Sequence, residues 1–111
     1  MATRAHYRTL IKQILEEQVQ DQPAHGEIEV MVVFDETRDH YQLLALGWDL
    51  PRRVHSILVH IRLPHDKIWI EYDGTDAHIA RQLVAAGVPK DDIVLAFHPP
   101  DTRPYTDFAV A

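Results

Sequence analysis

A series of short alternating segments, each closed by a turn, constrains this chain more than any other feature. Apolar residues recur at every second position over residues 27–73, and turns rich in Asp and Pro interrupt the alternation. The predicted strands are residues 27–35, 41–48, 53–63 and 67–72. Connections this short join neighbouring strands in opposite directions, so the segment predicts an antiparallel meander of four strands. In the third strand, the alternation places on one face His55, Ile57, Val59 and Ile61.

One helix is predicted before the meander. Thr3 is a good N-cap, and a stripe of apolar residues at helical spacing follows it. The stripe consists of Tyr7, Leu10, Ile11, Ile14, Leu15 and Val19. The helix is expected to end near residues 20–22, because Pro23 and Gly26 stop it.

A second helix is predicted after the fourth strand. Thr75 is its expected N-cap, and Asp76 lies in the first turn, where the helix dipole favours a negative charge. Gly87 is expected in the left-handed position after the last turn, and Pro89 prevents continuation. Residues 91–97 fit a short strand or one more helical turn, and the strand is favoured. The tail that follows is rich in proline and is expected to be extended.

These elements predict a single α+β domain over residues 1–111, with an N-terminal helix, a four-stranded antiparallel meander, a second helix, a short strand or turn, and an extended C-terminal tail. The strands are apolar on both faces, whereas two helices cover only one face of such a sheet. The tail, a second copy of the chain or a partner protein must cover the other. We expect an interface there, formed by a homodimer in the isolated protein. The candidate interaction surface consists of Met31, Val33, Trp69, His98, Pro99, Pro100, Arg103 and Tyr105.

The charge balance argues against tight DNA binding by this chain alone. A net charge of −6 is opposite to that of a protein which grips the phosphate backbone. Arg4, Arg8 and Lys12 recur every fourth residue, but Glu16 continues the row, and such a row is typical of a solvated helix face. The chain has no cysteine, a polar N-terminus and no apolar run of membrane-spanning length, so a cytoplasmic protein is expected.

No catalytic, cofactor-binding or metal-binding residue is predicted. The eight histidines are scattered without dense ligand spacing, and the parity of His55 and His60 places them on opposite faces of the predicted third strand. Residues 35–40 concentrate titratable groups but lack a nucleophile, and they fit a polar hairpin loop. No lysine follows an acidic residue by two positions, so the PD-(D/E)xK nuclease motif is absent.

Two further segments admit two interpretations each. Asp73-Gly74-Thr75 leads from a strand into a helix, a place that can hold a phosphate, although a turn with an N-cap explains it adequately. His98-Pro99-Pro100, followed by Arg103-Pro104-Tyr105, fits a rigid docking segment or a tail pressed onto the sheet. The docking interpretation is the reason why the tail belongs to the candidate interaction surface.

A set of short motifs resembles the XisI family. In the first half these are Asp39-His40-Tyr41-Gln42-Leu43-Leu44, Gly47-Trp48, Arg52-Arg53-Val54-His55, Lys67-Ile68-Trp69-Ile70 and Asp73-Gly74-Thr75. In the second half they are Gly87-Val88-Pro89-Lys90, Ile93-Val94-Leu95, Phe97-His98-Pro99-Pro100 and the ending Tyr105-Thr106-Asp107-Phe108-Ala109-Val110-Ala111. Their order and spacing match over essentially the whole chain.

The resemblance implies a cyanobacterial protein that acts beside a partner, XisH, in programmed excision of the fdxN element during heterocyst differentiation, while a separate site-specific recombinase exchanges the strands. We therefore expect a non-enzymatic accessory module that binds a nuclease-like or recombinase partner. One alternative is a DNA-binding directionality factor with a basic face of Arg4, Arg8, Lys12 and Arg52-Arg53. The other is a metal-dependent nuclease or hydrolase centred on Asp35, Asp39 and His40.

Overall fold

Two helices and five strands form the part of the chain that the computed structural model describes, residues 4–21 and 27–111. In chain order they are α1 (Arg4–Asp21), β1 (Glu27–Asp35), β2 (His40–Asp49), β3 (Arg52–Arg62), β4 (Ile68–Asp73), α2 (Ile79–Ala85) and β5 (Ile93–Leu95). The strands lie in the sheet in sequence order. β1 to β4 pair antiparallel, and β5 adds to β4 in parallel. The predicted α+β class and meander are confirmed, and the favoured strand after the second helix is present.

Both helices pack on one side of the sheet, which we call the inner face. The apolar stripe predicted for α1 supplies Tyr7, Ile11 and Leu15, each at most 2% exposed, and α2 supplies Ile79 and Leu83. The strands add Tyr41, Leu43, Val59, Ile61, Ile68, Ile70 and Ile93. Each of these large side chains contributes roughly 1.5–3 kcal/mol by leaving water. Burial on the inner face therefore holds the helices to the sheet.

A β-bulge in β3 changes which side chains face the helices. Leu43 pairs with Val59, but the next residue, Leu44, pairs with Ile57, so Leu58 is an extra residue. One extra residue reverses the parity of everything beyond it. The prediction that His55, Ile57, Val59 and Ile61 share a face is therefore wrong. His55 and Ile57 lie on the opposite side, which we call the outer face, while Val59 and Ile61 are buried.

The second helix begins later than predicted. Thr75 is not its N-cap, because its backbone N and its Oγ1 both donate to Oδ1 of Asp73, at 3.0 and 2.7 Å. The other oxygen, Oδ2 of Asp73, accepts from the backbone N of Ile79 at 3.3 Å. His78, at φ 53°, directly precedes α2. The Asp73 carboxylate thus ties the end of β4 to the first residue of α2.

The end of α2 follows the sequence. Gly87 has a φ of +101°, its N–H donates to Val84 O at 3.0 Å, and Val88 N–H donates to Leu83 O at 3.0 Å. These two bonds are the Schellman arrangement, in which a left-handed residue ends the helix. Val88 is 3% exposed, so the chain turns back into the core immediately after the helix.

The tail is folded rather than extended. Successive turn bonds run from Thr102 N to Pro99 O and from Tyr105 N to Thr102 O, at 2.9 and 3.0 Å. Ala109 then donates to Ile93 O at 2.9 Å, so the chain end lies beside β5. The prediction of an extended tail was wrong because its prolines lie in turns.

Other expectations fall on residues 1–3 and 22–26, outside the described part. These are the cap at Thr3 and the helix stop at Pro23 and Gly26. Neither described helix is both long and apolar enough to cross a membrane.

Gly87→Val should destabilise the protein by about 1 kcal/mol or more, because a β-branched side chain is strained at a positive φ. No atom lies within 4 Å of the added Cβ, so the cost comes from the backbone. Gly87→Asn should cost less, since asparagine tolerates this conformation better. Urea unfolding measures both, and an equal loss in the two variants would contradict the assignment.

Candidate interaction surface

The outer face of β1, β2 and β3 carries an open group of apolar side chains. Register pairs Met31 with Leu44, and Leu44 with Ile57, which places them side by side. We call this group the outer patch: Met31, Val33, Leu44, Leu46 and Ile57. Val33 and Ile57 are each 43% exposed. A shallow cavity of about 280 Å³ opens between Leu44, Leu46, His55, Ser56 and Ile57.

The candidate residues divide into two groups. Met31 and Val33 belong to the outer patch, but Trp69 lies on β4, where it pairs with Val94 of β5. The guanidinium of Arg103 lies 5.4 Å from the centre of the Trp69 ring, and that of Arg62 lies 6.0 Å from it. The chain's own tail thus covers Trp69, which does not line the outer patch.

Arg103 fastens the tail instead of facing solvent. It donates to the carbonyls of His98, Ala96 and Val110 at 3.0, 3.3 and 3.3 Å. The remaining tail candidates lie near Arg103. The His98 ring contacts the Phe97 ring at a tilt of 46°, Pro99 and Pro100 are exposed, and Tyr105 is 88% exposed.

Sequence reasoning left three patch residues out of its candidate set. Leu44 and Leu46 alternate with buried residues of β2, so strand periodicity alone was a sufficient signal for them. Ile57 carried no such signal, because the bulge at Leu58 reverses its face. The same bulge overturns the expectation for His55 and His60: they pair with Leu46 and Gln42 and both lie on the outer face.

A pair of histidines lies at the end of the outer patch. His40 Nδ1 and His60 Nε2 are 3.0 Å apart, and their rings stack at 5.3 Å. Burial lowers the pKa of His60, and the nearby His40 lowers it further. Among residues 4–21 and 27–111, no three His, Asp or Glu side chains are grouped as they would be to hold a metal ion.

The basic row of α1 is matched by acidic residues. Arg4 pairs with Asp66 at 3.0 Å, Arg8 with Asp39 at 2.9 Å and Lys12 with Glu36 at 3.0 Å. Of the Arg52-Arg53 pair in the alternative DNA-binding face, Arg52 pairs with Asp49 at 3.4 Å, while Arg53 donates to the Gly47 carbonyl at 3.1 Å. Four of the five cations thus already have carboxylate partners, so binding DNA through them would break ion pairs.

The turn at residues 35–40 supplies two of the carboxylates in these ion pairs, Glu36 and Asp39. Asp39 is 13% exposed at its side chain, and Tyr41 donates to its Oδ1 at 2.7 Å. Burial alone would raise the pKa of Asp39, but hydrogen bonds from Tyr41 and Arg8 hold it below its usual value. Asp35 accepts from the backbone N–H groups of Thr37 and Arg38, as in a polar hairpin loop.

Comparison with known proteins gives one family. A family model described as XisI protein matches residues 1–110. The crystal structure of a XisI-like protein from Anabaena variabilis is 35% identical and superposes with a TM-score of 0.92, over 97% of this chain and 99% of the other. A second structure, named fdxN element excision controlling factor XisI from Anabaena variabilis, is 36% identical with a TM-score of 0.84, over 97% and 98%. No curated protein matches the chain.

Asp39→Asn should destabilise the protein by about 1–3 kcal/mol at neutral pH, since the charged acceptor of Arg8 is lost. A carboxyl whose folded pKa is depressed stabilises the fold above its unfolded pKa, and the effect disappears as pH falls through the folded pKa. The difference in melting temperature between wild type and variant should therefore narrow below about pH 4. Thermal melts across this pH range measure it.

The control is Asp101→Asn, an exposed aspartate on the tail. Its melting temperature should match that of wild type across the same pH range. If the difference in melting temperature between wild type and Asp39→Asn stays constant below about pH 4, the stabilising role of the Asp39 charge is contradicted.

Arg103→Ala should lower the free energy of unfolding by about 1–3 kcal/mol, because three carbonyls lose a charged donor. Trp69 should become exposed and shift the tryptophan emission to longer wavelength. Arg103→Lys should recover little, since one ammonium does not reproduce the guanidinium geometry. The exposed Arg38→Ala is the control, and an equal loss there would contradict the assignment.

Proposed function

The chain belongs to the XisI family, and from that premise we propose that it is an accessory controlling factor in programmed excision of a DNA element such as the fdxN element. It acts by binding another protein and performs no catalysis itself. The observation that carries the proposal is the outer patch, an open apolar surface on a small protein. Exposed apolar groups of this kind are typical of protein interfaces.

The partner is a nuclease-like or recombinase protein, such as an XisH-like protein. The charge of −6 supports this, since proteins that handle DNA present basic surfaces, and opposite charges favour association. The neutralised row on α1 supports a role through protein contact, because its cations are engaged within the fold.

The isolated protein forms a homodimer through the same outer patch. Each exposed apolar side chain gains up to roughly 1.5–3 kcal/mol when it is fully buried, and a second copy supplies an equally apolar surface. Partner and second copy then compete for one surface, so the dimer is the resting form.

Ile57→Glu tests both statements, because Ile57 is 43% exposed and lies beside Leu44, the central residue of the outer patch. The variant should weaken binding to a co-expressed XisH-like protein by at least about tenfold, since burying an unpaired carboxylate is costly. It should also shift the isolated protein from dimer to monomer in sedimentation. Calorimetric titration measures the first effect.

Leu50→Glu is the matched control. Leu50 is 78% exposed in the turn after β2, so the same gain of charge falls outside the patch. It should bind and dimerise as wild type does. Unchanged partner affinity in Ile57→Glu would overturn the proposed surface, and a wild-type monomer at high micromolar concentration would overturn the homodimer.

A further inference from the structure

A second concave site lies at the other end of the sheet. β4, α2 and β5 form a unit of two parallel strands joined by a helix, and a groove of about 580 Å³ opens beside it. Its lining includes Asp73 and Phe97 at the carboxyl ends of the strands, and also Lys90 at the amino end of β5. The carboxyl end of a parallel pair is where ligands of α/β sheets bind, and the volume falls in the range of ligand sites. The groove lies between α2 and the tail and shares no residue with the outer patch.

The floor of the groove is apolar. Ile70 and Ile79 are buried beneath it, and Val84 and Leu95 line its sides. Phe97, which follows β5, stays 48% exposed although it borders an apolar floor. Covering such an exposed aromatic ring with another apolar group is favourable, because it removes apolar surface from water.

The rim of the groove carries two cations, Arg81 and Lys90, and the fold leaves Arg81 unpaired. Within residues 4–21 and 27–111, Arg81 is the one Lys or Arg without an ion pair, hydrogen bond or ring contact. Lys90 has only a loose contact, 3.8 Å from the Asp107 carboxylate. The carboxylate of Asp73, also on the rim, accepts the bonds that begin α2. Asp73 and Asp107 balance Lys90 and Arg81 in formal charge, so the positive group that the site leaves open to a ligand is the Arg81 guanidinium.

The protein's own tail shows which chemistry fits there. Asp107 places its carboxylate toward Lys90, and the adjacent Phe108 packs against the core. Both residues line the groove. An acidic residue next to an aromatic residue thus occupies one side, while Arg81 and Phe97 on the remaining rim offer the same pair of contacts.

We propose that this groove binds a peptide segment of a partner protein in which an acidic residue adjoins an aromatic or large aliphatic one. The carboxylate pairs with Arg81, and the apolar side chain covers Phe97 and the floor. The identity of the partner rests on the proposed function, but the peptide chemistry does not.

Selection from a phage-displayed library of random dodecamer peptides against the whole protein tests the proposal. Enriched peptides should contain Asp or Glu beside Phe, Tyr, Trp or Leu. Synthetic copies should bind Arg81→Glu about fivefold more weakly, the upper end of the range for one exposed ion pair. Phe97→Ala should also weaken binding of the synthetic peptides. Amide resonances along α2 and β5 should shift when the peptides are titrated into the protein.

Arg38→Glu is the matched control, a charge reversal at an arginine whose side chain is 75% exposed in the turn after β1. It should leave peptide affinity unchanged, and Arg81→Ala should act as Arg81→Glu does, with a smaller effect. Failure to enrich acidic–aromatic peptides, or equal affinity in Arg81→Glu and wild type, overturns the proposal. Such a failure leaves the test at Ile57 standing, because Ile57 does not line the groove.

Discussion

The extra residue at Leu58 decides what the sheet presents to other molecules. A regular β3 would carry Ile57 inward with Val59 and would leave His60 on the side opposite His55. The bulge turns Ile57 outward while Val59 stays at 0% exposed in the core. Three strands therefore contribute neighbouring apolar side chains to one surface. Bulges are common where a sheet must aim a side chain at a binding site, and this one adds Ile57 to the outer patch.

The contacts of α1 explain why its basic row does not form an unpaired positive face. Its basic row reaches the turns after β1 and β3, and Tyr7 donates to Asp92 just before β5. Burial raises the pKa of Tyr7 to about 12, as do its hydrogen bond to Asp92 and the nearby charge, so the phenol stays a proton donor at neutral pH. One helix thus binds three loops of the sheet through polar contacts as well as through its apolar stripe. Carboxylates without such partners, as on Glu27 and Glu29 of the edge strand, remain available to a basic protein.

Local signals were sufficient for most of the fold but not for the surface. Strand limits followed from alternation and turns, with differences of a residue, and Gly87 marked the helix end because left-handed backbone favours glycine. The predicted N-cap at Thr75 was wrong because Thr75 lies in a turn held by Asp73, and the Asp73 carboxylate accepts from the backbone N of Ile79, where α2 begins. Composition does not rank two good acceptors two residues apart. The sequence did not predict the bulge, because Leu58 is as apolar as its neighbours and nothing in the pattern marks it as an extra residue. Trp69 was expected at an interface, and the guanidinium of Arg103 from the tail lies over its ring, a contact between distant parts of the chain that no local pattern predicts.

The two proposed sites differ in the physical basis of their selectivity. The outer patch is broad and apolar, and recognition there depends on shape and on desolvation, which favours a folded surface. The groove is narrower and combines an apolar floor with an unpaired guanidinium, so it selects a short segment by charge as well as by size. Since their lining residues are disjoint, a ligand in one does not block the other. A protein with both sites can hold the body of a partner on one face and a peptide of the same partner, or of a second protein, at the far end of the sheet. Two weak contacts joined by one chain then give tight binding without a large interface, because the second contact forms at high effective concentration.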